Sequence, residues 1–463
     1  MYHRSAVLPA VAGLLACSGL ALADAPKLSL DPAVITADST APQGLLMQGL
    51  DKAGAAKTLA DAKLNIYGWV ESGYTYNHRH AGVNTPDGST SYEDWGYGGS
   101  TFILPGPFND EYHNHLMLNQ FVLRFERQVD TKTFDIGGMI ELMYGSDADS
   151  IHATGLGYSG SDATDDNRPV DYDAVDNLSP NWQFDIPQAY LTVNLPIGNG
   201  LQLLVGKFVT LLGYETIDPR GNPFYTHSFL FSAVPYTHTG ILGSYQLNDQ
   251  LGLKLGITRG WDIALEDNNG CAIDVLGQVS YKFSQQVNFA FNFSVGPENG
   301  LDDGSPDAYG DSSHYRTVLN PILYWQATDA LKIGVEVLYL YDGGINGSAG
   351  YTHAYGDIWG AALYAGYKVN DNLTFNLRAE KAHSYVLGFG GLYLDNFAGV
   401  PTLNAYEATI GATITPMPKC PYLKGLSIRP EIRYDWCEDD VFGAKNRDFQ
   451  DQLTFAADVI FAF

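Results

Sequence analysis

Long apolar runs are what this sequence lacks. Past residue 25, no stretch carries the roughly 18 or more consecutive apolar residues of a membrane-spanning helix, and the mean hydropathy is −0.12. Helical spans are thereby excluded as the architecture. Basic charge is also short: 26 Lys and Arg stand against 52 Asp and Glu, a formal charge of −26. Nucleic-acid binding wants a basic surface, so no nucleic-acid partner is expected. Cysteine is scarcer still, four in 463 residues. Cys271, Cys420 and Cys437 show no CxxC spacing and no adjoining His cluster, so no metal and no other cofactor is expected. A disulfide between Cys420 and Cys437 stays open in an oxidising periplasm. Charged residues make up only 17%, where about 25% is usual for soluble domains.

What is abundant is Tyr (30), Phe (22) and Gly (50). Few charges with many aromatics and glycines suit a barrel that is apolar outside and wet inside. Composition alone suits a large soluble propeller or solenoid equally well. Alternation separates the two. Val287, Phe289, Phe291, Phe293 and Val295 fall on one face of a strand; Asn288, Ala290, Asn292 and Ser294 fall on the other. Leu373, Phe375, Leu377 and Ala379 likewise oppose Thr374, Asn376, Arg378 and Glu380. Ile428, Pro430, Ile432, Tyr434 and Trp436 oppose Arg429, Glu431, Arg433 and Asp435. About sixteen such segments (14–18 bracket the count) of about 10 to 14 residues each match tilted strands that cross a bilayer. They start near Leu64, Leu116, Thr133, Gln183, Leu201, Thr237, Leu251, Ala272, Val287, His314, Leu331, Asp357, Leu373, Ala405, Leu426 and Gln452.

The connections alternate too. Compact turns, such as Asp130-Thr131-Lys132, Gly198-Asn199-Gly200, Asn248-Asp249 and Asn370-Asp371-Asn372, take turns with long loops. The long ones include 77–115, 146–182, 213–236, 297–313 and 384–404. Short turns on one side and long loops on the other are the layout of an outer-membrane barrel. The expected fold is therefore all-β, a transmembrane up-and-down antiparallel barrel with short periplasmic turns and long extracellular loops. The sequence ends on alternate apolar residues, Val459, Phe461 and Phe463, which resembles an outer-membrane assembly signal. That implies the assembly machinery as a partner. The start has the three parts of a secretory leader, with Arg4, an apolar run from Ala6 to Leu22, and small residues to Ala25. The division expected is a signal peptide over 1–23, a periplasmic lead-in or short helix over 24–62, and the barrel over 63–463. Leu14-Leu15-Ala16-Cys17 also has the form of a lipobox, with Cys17 as lipid carrier, and both readings stay open.

In lipid an unpaired strand edge is costly, so the sheet must close. Sixteen to eighteen strands leave an aqueous lumen unless something fills it. The expected pore-lining residues are Arg124, Glu126, Glu141, Lys207, Lys282, Glu336, Arg378, Glu380, Arg429, Glu431, Arg433 and Asp435. Facing rings of acid and base would filter solutes by charge; pairing between neighbouring strands, which stiffens the wall, reads as well. Loop 213–236 differs from the acidic loops in carrying Phe224, Tyr225, His227, Phe229, Leu230 and Phe231. Such a loop is expected to fold inward and narrow the lumen, against the alternative of packing externally. The loops rich in Asp162, Asp165, Asp166, Asp302, Asp303 and Asp440 would concentrate cations at the mouth and hold divalent ions that bridge to anionic lipopolysaccharide.

The stretches Val205-Gly206-Lys207-Phe208, Tyr214-Glu215-Thr216, Asn222 to Phe231, Pro235 to Gly240 and Ile428 to Asp435 resemble the OmpL-like β-barrel porin family of Gram-negative bacteria. The resemblance runs over nearly all of Leu64 to Phe463. It implies an outer-membrane porin for passive diffusion of small hydrophilic solutes or ions, and it fixes no substrate. A substrate-specific channel is one alternative, and a structural or adhesive barrel without an open pore is another. A hydrolase would need a nucleophile, base and orienting group at one rim, and only His227-Ser228 and His238 tempt. Porins of this size are often trimers, so a homotrimer is the oligomer to test.

Overall fold

The computed structural model describes residues 44–77, 116–156, 183–265, 272–298, 315–343, 355–385, 402–439, 442 and 449–463. The leader with Cys17, Cys271, and the acidic stretches around Asp162 and Asp302 lie outside the described residues. Sixteen antiparallel strands close on themselves, each paired with its chain neighbours and the first with the last. The strands are β1 (Leu64–Asn77), β2 (Leu116–Arg127), β3 (Asp135–Gly145), β4 (Gln183–Leu195), β5 (Leu201–Val209), β6 (Thr237–Gln246), β7 (Leu251–Thr258) and β8 (Asp274–Lys282). They continue as β9 (Val287–Gly296), β10 (Arg316–Gln326), β11 (Leu331–Gly343), β12 (Tyr355–Asn370), β13 (Leu373–Tyr385), β14 (Thr402–Ile414), β15 (Leu426–Cys437) and β16 (Asp451–Ala462). The starts read from alternation agree with these within three residues. The largest misfit is β14, which begins at Thr402 rather than Ala405, because Leu403 continues the inward face.

Alternation sets which face meets lipid. On β13 Phe375 is 54% exposed while Arg378 is fully enclosed. On β15 Ile432, Tyr434 and Trp436 are exposed and Glu431, Arg433 and Asp435 are buried. A one-residue slip would turn every charge to the lipid, so the pattern holds the register. The seam is tied at the C-terminus. Phe463 N–H donates to the Gly68 carbonyl at 2.9 Å, and Gly68 N–H returns a bond to the Phe463 carbonyl at 3.0 Å. The Phe463 ring lies 6.3 Å from Phe121 and 6.3 Å from Phe461. Val70 of β1 pairs with Phe461 of β16, so the apolar tail is built into the closing seam of the cylinder.

Two short helices precede the barrel, α1 (Leu45–Lys52) and α2 (Ala56–Asp61). They sit beside the seam at the short-turn end, where Ile66 N–H meets Met47 Sδ at 3.4 Å and Lys52 Nζ stands 5.9 Å from the Tyr422 ring. A third short helix, α3 (Ser146–Ser150), follows β3. Cys420, in the β14–β15 turn, and Cys437, at the far end of β15, are both free thiols. The disulfide left open above does not form, since β15 separates the two residues by its full length.

Candidate functional site

The long connection between β5 and β6 lies inside the barrel. Its ends are pinned together where Thr210 N–H donates to the Tyr236 carbonyl at 3.0 Å. The loop organises itself first. Asp218 caps a tight turn over Pro219–Gly221, accepting from Arg220 N–H at 3.1 Å. Asn222 clamps Thr216 from both sides, accepting from its N–H at 2.9 Å and donating to its carbonyl at 2.6 Å. Ser228 Oγ accepts from Phe231 N–H at 3.1 Å to start a second turn, Phe231–Ala233.

A loop folded into a barrel has backbone groups that no ladder satisfies, and each needs a partner. The wall supplies them by charge. Arginines take the loop carbonyls: Arg378 the carbonyl of Thr226 at 2.5 Å, Arg429 those of Pro219 and Asn222, both at 2.8 Å, and Arg433 that of His227. Glutamates take the loop N–H groups: Glu431 that of Tyr225 at 2.8 Å, and Glu380 those of Phe229 at 2.6 Å and Leu230 at 2.8 Å. The remaining charge is then paired. Arg378 holds Glu215 of the loop at 2.7 Å and Glu407 of β14 at 2.9 Å. Arg124 holds Glu141 of β3 and Asp218 of the loop, the latter at 3.2 Å. Arg429 holds Glu71 of β1 at 3.0 Å and Asp458 of β16.

Aromatic contacts complete the grip. Tyr214 stacks on Tyr364 at 4.1 Å and on Tyr324 at 5.2 Å. It can do so only because position 334 is glycine: a Cβ there would stand 2.3 Å from the Tyr214 ring. Gly73 makes the same room for Tyr225, whose hydroxyl donates to Asn119 Oδ1 at 3.2 Å. The guanidiniums of Arg124 and Arg220 lie 4.5 Å and 4.1 Å from the centre of the Trp69 ring, each within cation–π distance. Phe224, Tyr225, His227, Phe229, Leu230 and Phe231 are all buried.

The structure thus brings together most of the residues expected to line the lumen, but in a different setting. Arg124, Glu126, Glu141, Lys207, Glu336, Arg378, Glu380, Arg429, Glu431, Arg433 and Asp435 are buried rather than bathed in water. From the sequence, a filtering ring and pairing along the wall are both open for these charges; in the structure the loop and neighbouring carboxylates supply partners to them. Glu126 accepts from the Tyr67 hydroxyl at 2.8 Å, Glu336 from the Asn320 amide at 2.9 Å, and Lys207 Nζ donates to the Ile186 carbonyl at 3.0 Å. Lys282 stands apart, exposed at the short-turn end of β8. Sequence reading missed Glu71, Glu215, Asp218, Glu407 and Asp458. Glu71, Glu407 and Asp458 each sit on the inward parity of a strand, and that parity was the available signal.

The groups considered for catalysis have other tasks. His238 Nε2 faces Thr210 Oγ1 at 3.1 Å and its Nδ1 faces the Gly260 carbonyl at 3.2 Å, while the Ser228 hydroxyl serves the loop turn.

Burial and the nearby charges of Arg378, Arg429 and Arg433 hold the His227 imidazole well below the usual histidine range. A histidine kept neutral in the fold leaves the unfolded chain to bind the proton as pH drops. Its contribution is therefore present above about pH 6.5, the unfolded value, and is lost as the medium acidifies below it. Burial raises the Asp218 carboxyl, but the guanidiniums of Arg220 and Arg124 outweigh it and hold the group below the ordinary carboxylate range. It acts in the same direction only at lower pH. His227→Gln should therefore flatten the fall in unfolding temperature between about pH 6.5 and 4.5. An unchanged slope in heat-modifiable gel mobility would refute that assignment.

A closed barrel of sixteen strands, apolar outside, polar within and carrying an infolded loop, defines an outer-membrane porin architecture. The sequence agrees: residues 63–463 match the profile of the family described as "Putative beta-barrel porin-2, OmpL-like", and the chain belongs to that family. The family is one of porins, and its place is the outer membrane. No curated protein matches the chain. Similar solved structures include the outer membrane channel DcaP of Acinetobacter baumannii, at 14% identity and TM-score 0.49, covering 86% of this chain and 97% of that one. An anion-selective porin from Comamonas acidovorans is similar at 10% identity and TM-score 0.48, covering 86% and 99%. OmpF of Salmonella typhi, in complex with daunomycin, is similar at 11% identity and TM-score 0.49, covering 87% and 99%.

Proposed function

We propose that this porin passes small hydrophilic solutes and ions by passive diffusion through a lumen narrowed by loop 213–236. The supporting observation is that the loop's carbonyls and N–H groups are held across the lumen by Arg378, Arg429, Arg433, Glu380 and Glu431. Its identity as a channel makes chemistry on the solute unnecessary, and it works without enzyme activity. Around the loop, Glu71, Glu141, Glu215, Asp218, Glu380, Glu407, Glu431, Asp435 and Asp458 outnumber Arg124, Arg220, Arg378, Arg429 and Arg433. Every wall arginine is already engaged by carboxylates, so none is free to draw anions. The formal balance around the loop is acidic, which favours cations.

Purified protein in a planar bilayer should give stable single-channel steps. In a salt gradient the reversal potential should carry the sign of a cation-preferring pore. An anion-preferring sign would overturn the charge reading. Silence from correctly folded protein would favour the second reading, a barrel kept shut, which the burial of the wall charges supports. The remaining roles belong to the same proposal: residues 1–23 as leader, 24–62 as periplasmic lead-in, Phe461 and Phe463 as the assembly signal, and a homotrimer as the working unit.

A further inference from the structure

Lys381 faces the wrong way for a barrel charge. It shares the outward parity of β13 with Phe375, Leu377, Ala379 and His383. The other lysines and arginines of the described strands are turned into the lumen or sit at a strand's periplasmic end, as Arg127 does beside Asp135. Lys381 Nζ instead lies 5.1 Å from the Trp359 ring and 5.4 Å from the Tyr406 ring, with no carboxylate paired to it among the described residues. Asp357 lies on the same outward face, in register with Tyr385 and further toward the long-loop end.

Its height explains how it is tolerated. Eight residues of a strand tilted about 45° rise on the order of 19 Å, in an apolar band about 25 Å tall. Leu373 begins β13 at the short-turn side, so Lys381 stands in the outer half and its stem reaches the outer headgroups. The surroundings are amphipathic: His383 stacks on Trp359 at 5.1 Å, its Nδ1 faces the acceptor Asn404 Oδ1 at 3.0 Å, and Tyr406 packs on Trp436 at 4.9 Å. A cation without a carboxylate, set among amphipathic aromatic side chains at the height of the outer headgroups, complements a phosphorylated saccharide.

We propose that this exterior patch on β12–β15 binds the phosphorylated sugar headgroup of the outer-leaflet glycolipid, lipopolysaccharide, with Lys381 on the phosphate. The proposal rests on the outer-membrane placement of the barrel and is independent of its conductance. The test uses native mass spectrometry of the full-length protein equilibrated with bisphosphorylated lipid A or with the same lipid stripped of phosphate. Wild type should retain the phosphorylated lipid about tenfold better, as loss of one charge-assisted contact implies. Lys381→Gln should abolish the preference and Lys381→Arg should restore it, with heat-modifiable mobility checking that each variant is folded. Lys381→Gln with the wild-type preference, or equal retention of the stripped lipid by wild type, would overturn the site. Conductance of the same preparations should be unchanged by Lys381→Gln, so a failure of the channel reading would be seen separately.

Discussion

Replacing residues 213–234 by a two-residue turn should raise single-channel conductance about threefold or more, because a sixteen-stranded cylinder is wide once its filling is removed. The excision is feasible for a geometric reason. Thr210 and Tyr236 already share a backbone hydrogen bond, so β5 and β6 can be joined without moving either strand. The same change removes the loop carbonyls held by Arg378, Arg429 and Arg433 and the loop carboxylates Glu215 and Asp218, so these guanidiniums keep only their wall carboxylates and turn their remaining N–H groups to water. Charge preference should therefore shift toward anions as conductance rises. Planar-bilayer recording measures both. A loop-deleted barrel that folds and conducts like wild type would show that the loop does not set the constriction.

The largest single-residue loss is expected at Arg378. It is fully buried and touches Glu215, Glu407 and the Thr226 carbonyl at once. Arg378→Met would leave two carboxylates enclosed without their counter-ion, and breaking a buried pair in that way costs about 3–5 kcal/mol. The expected result is a clear drop in the urea midpoint of the folded band. Adding Glu215→Gln and Glu407→Gln should recover part of it, since the cost is mostly that of stranded charge. No recovery in the triple variant would mean that Arg378 acts chiefly through the Thr226 carbonyl. Loop mobility should follow stability, so the single variant should also show flickering current.

Much of the fold was legible because strands state their faces locally. Phe289, Phe291 and Phe293 tell their orientation from five consecutive residues, and Phe455, Val459 and Phe461 do the same for the closing strand. The inward turn of loop 213–236 was readable only as a preference, from aromatics that an exposed loop does not need. What the sequence could not tell was the partner of each charge. Arg429 meets Asn222 across 207 residues and Glu71 across 358, and no local period encodes such a pair. Glu71 and Asp458 escaped notice because their inward neighbours, such as Gly73 and Ala456, carry no charge to mark the face. The same lack of local signal left Arg378 open to both a selectivity role and pairing along the wall, without naming Glu215 or the Thr226 carbonyl as partners.

Those long separations also govern the order in which the molecule can be built. Tyr225 and Thr226 are bound by Glu431, about two hundred residues downstream, and Phe229 and Leu230 by Glu380, about one hundred and fifty. Until β13 and β15 are in place, the loop's aromatic side chains have no wall to cover them. Contacts so distant in sequence form late and slowly. The nascent chain must therefore cross the periplasm with its stickiest segment uncovered. The step that ties Phe463 to Gly68 is also the one that completes the wall around the loop, so closure of the cylinder and setting of its bore belong to one event.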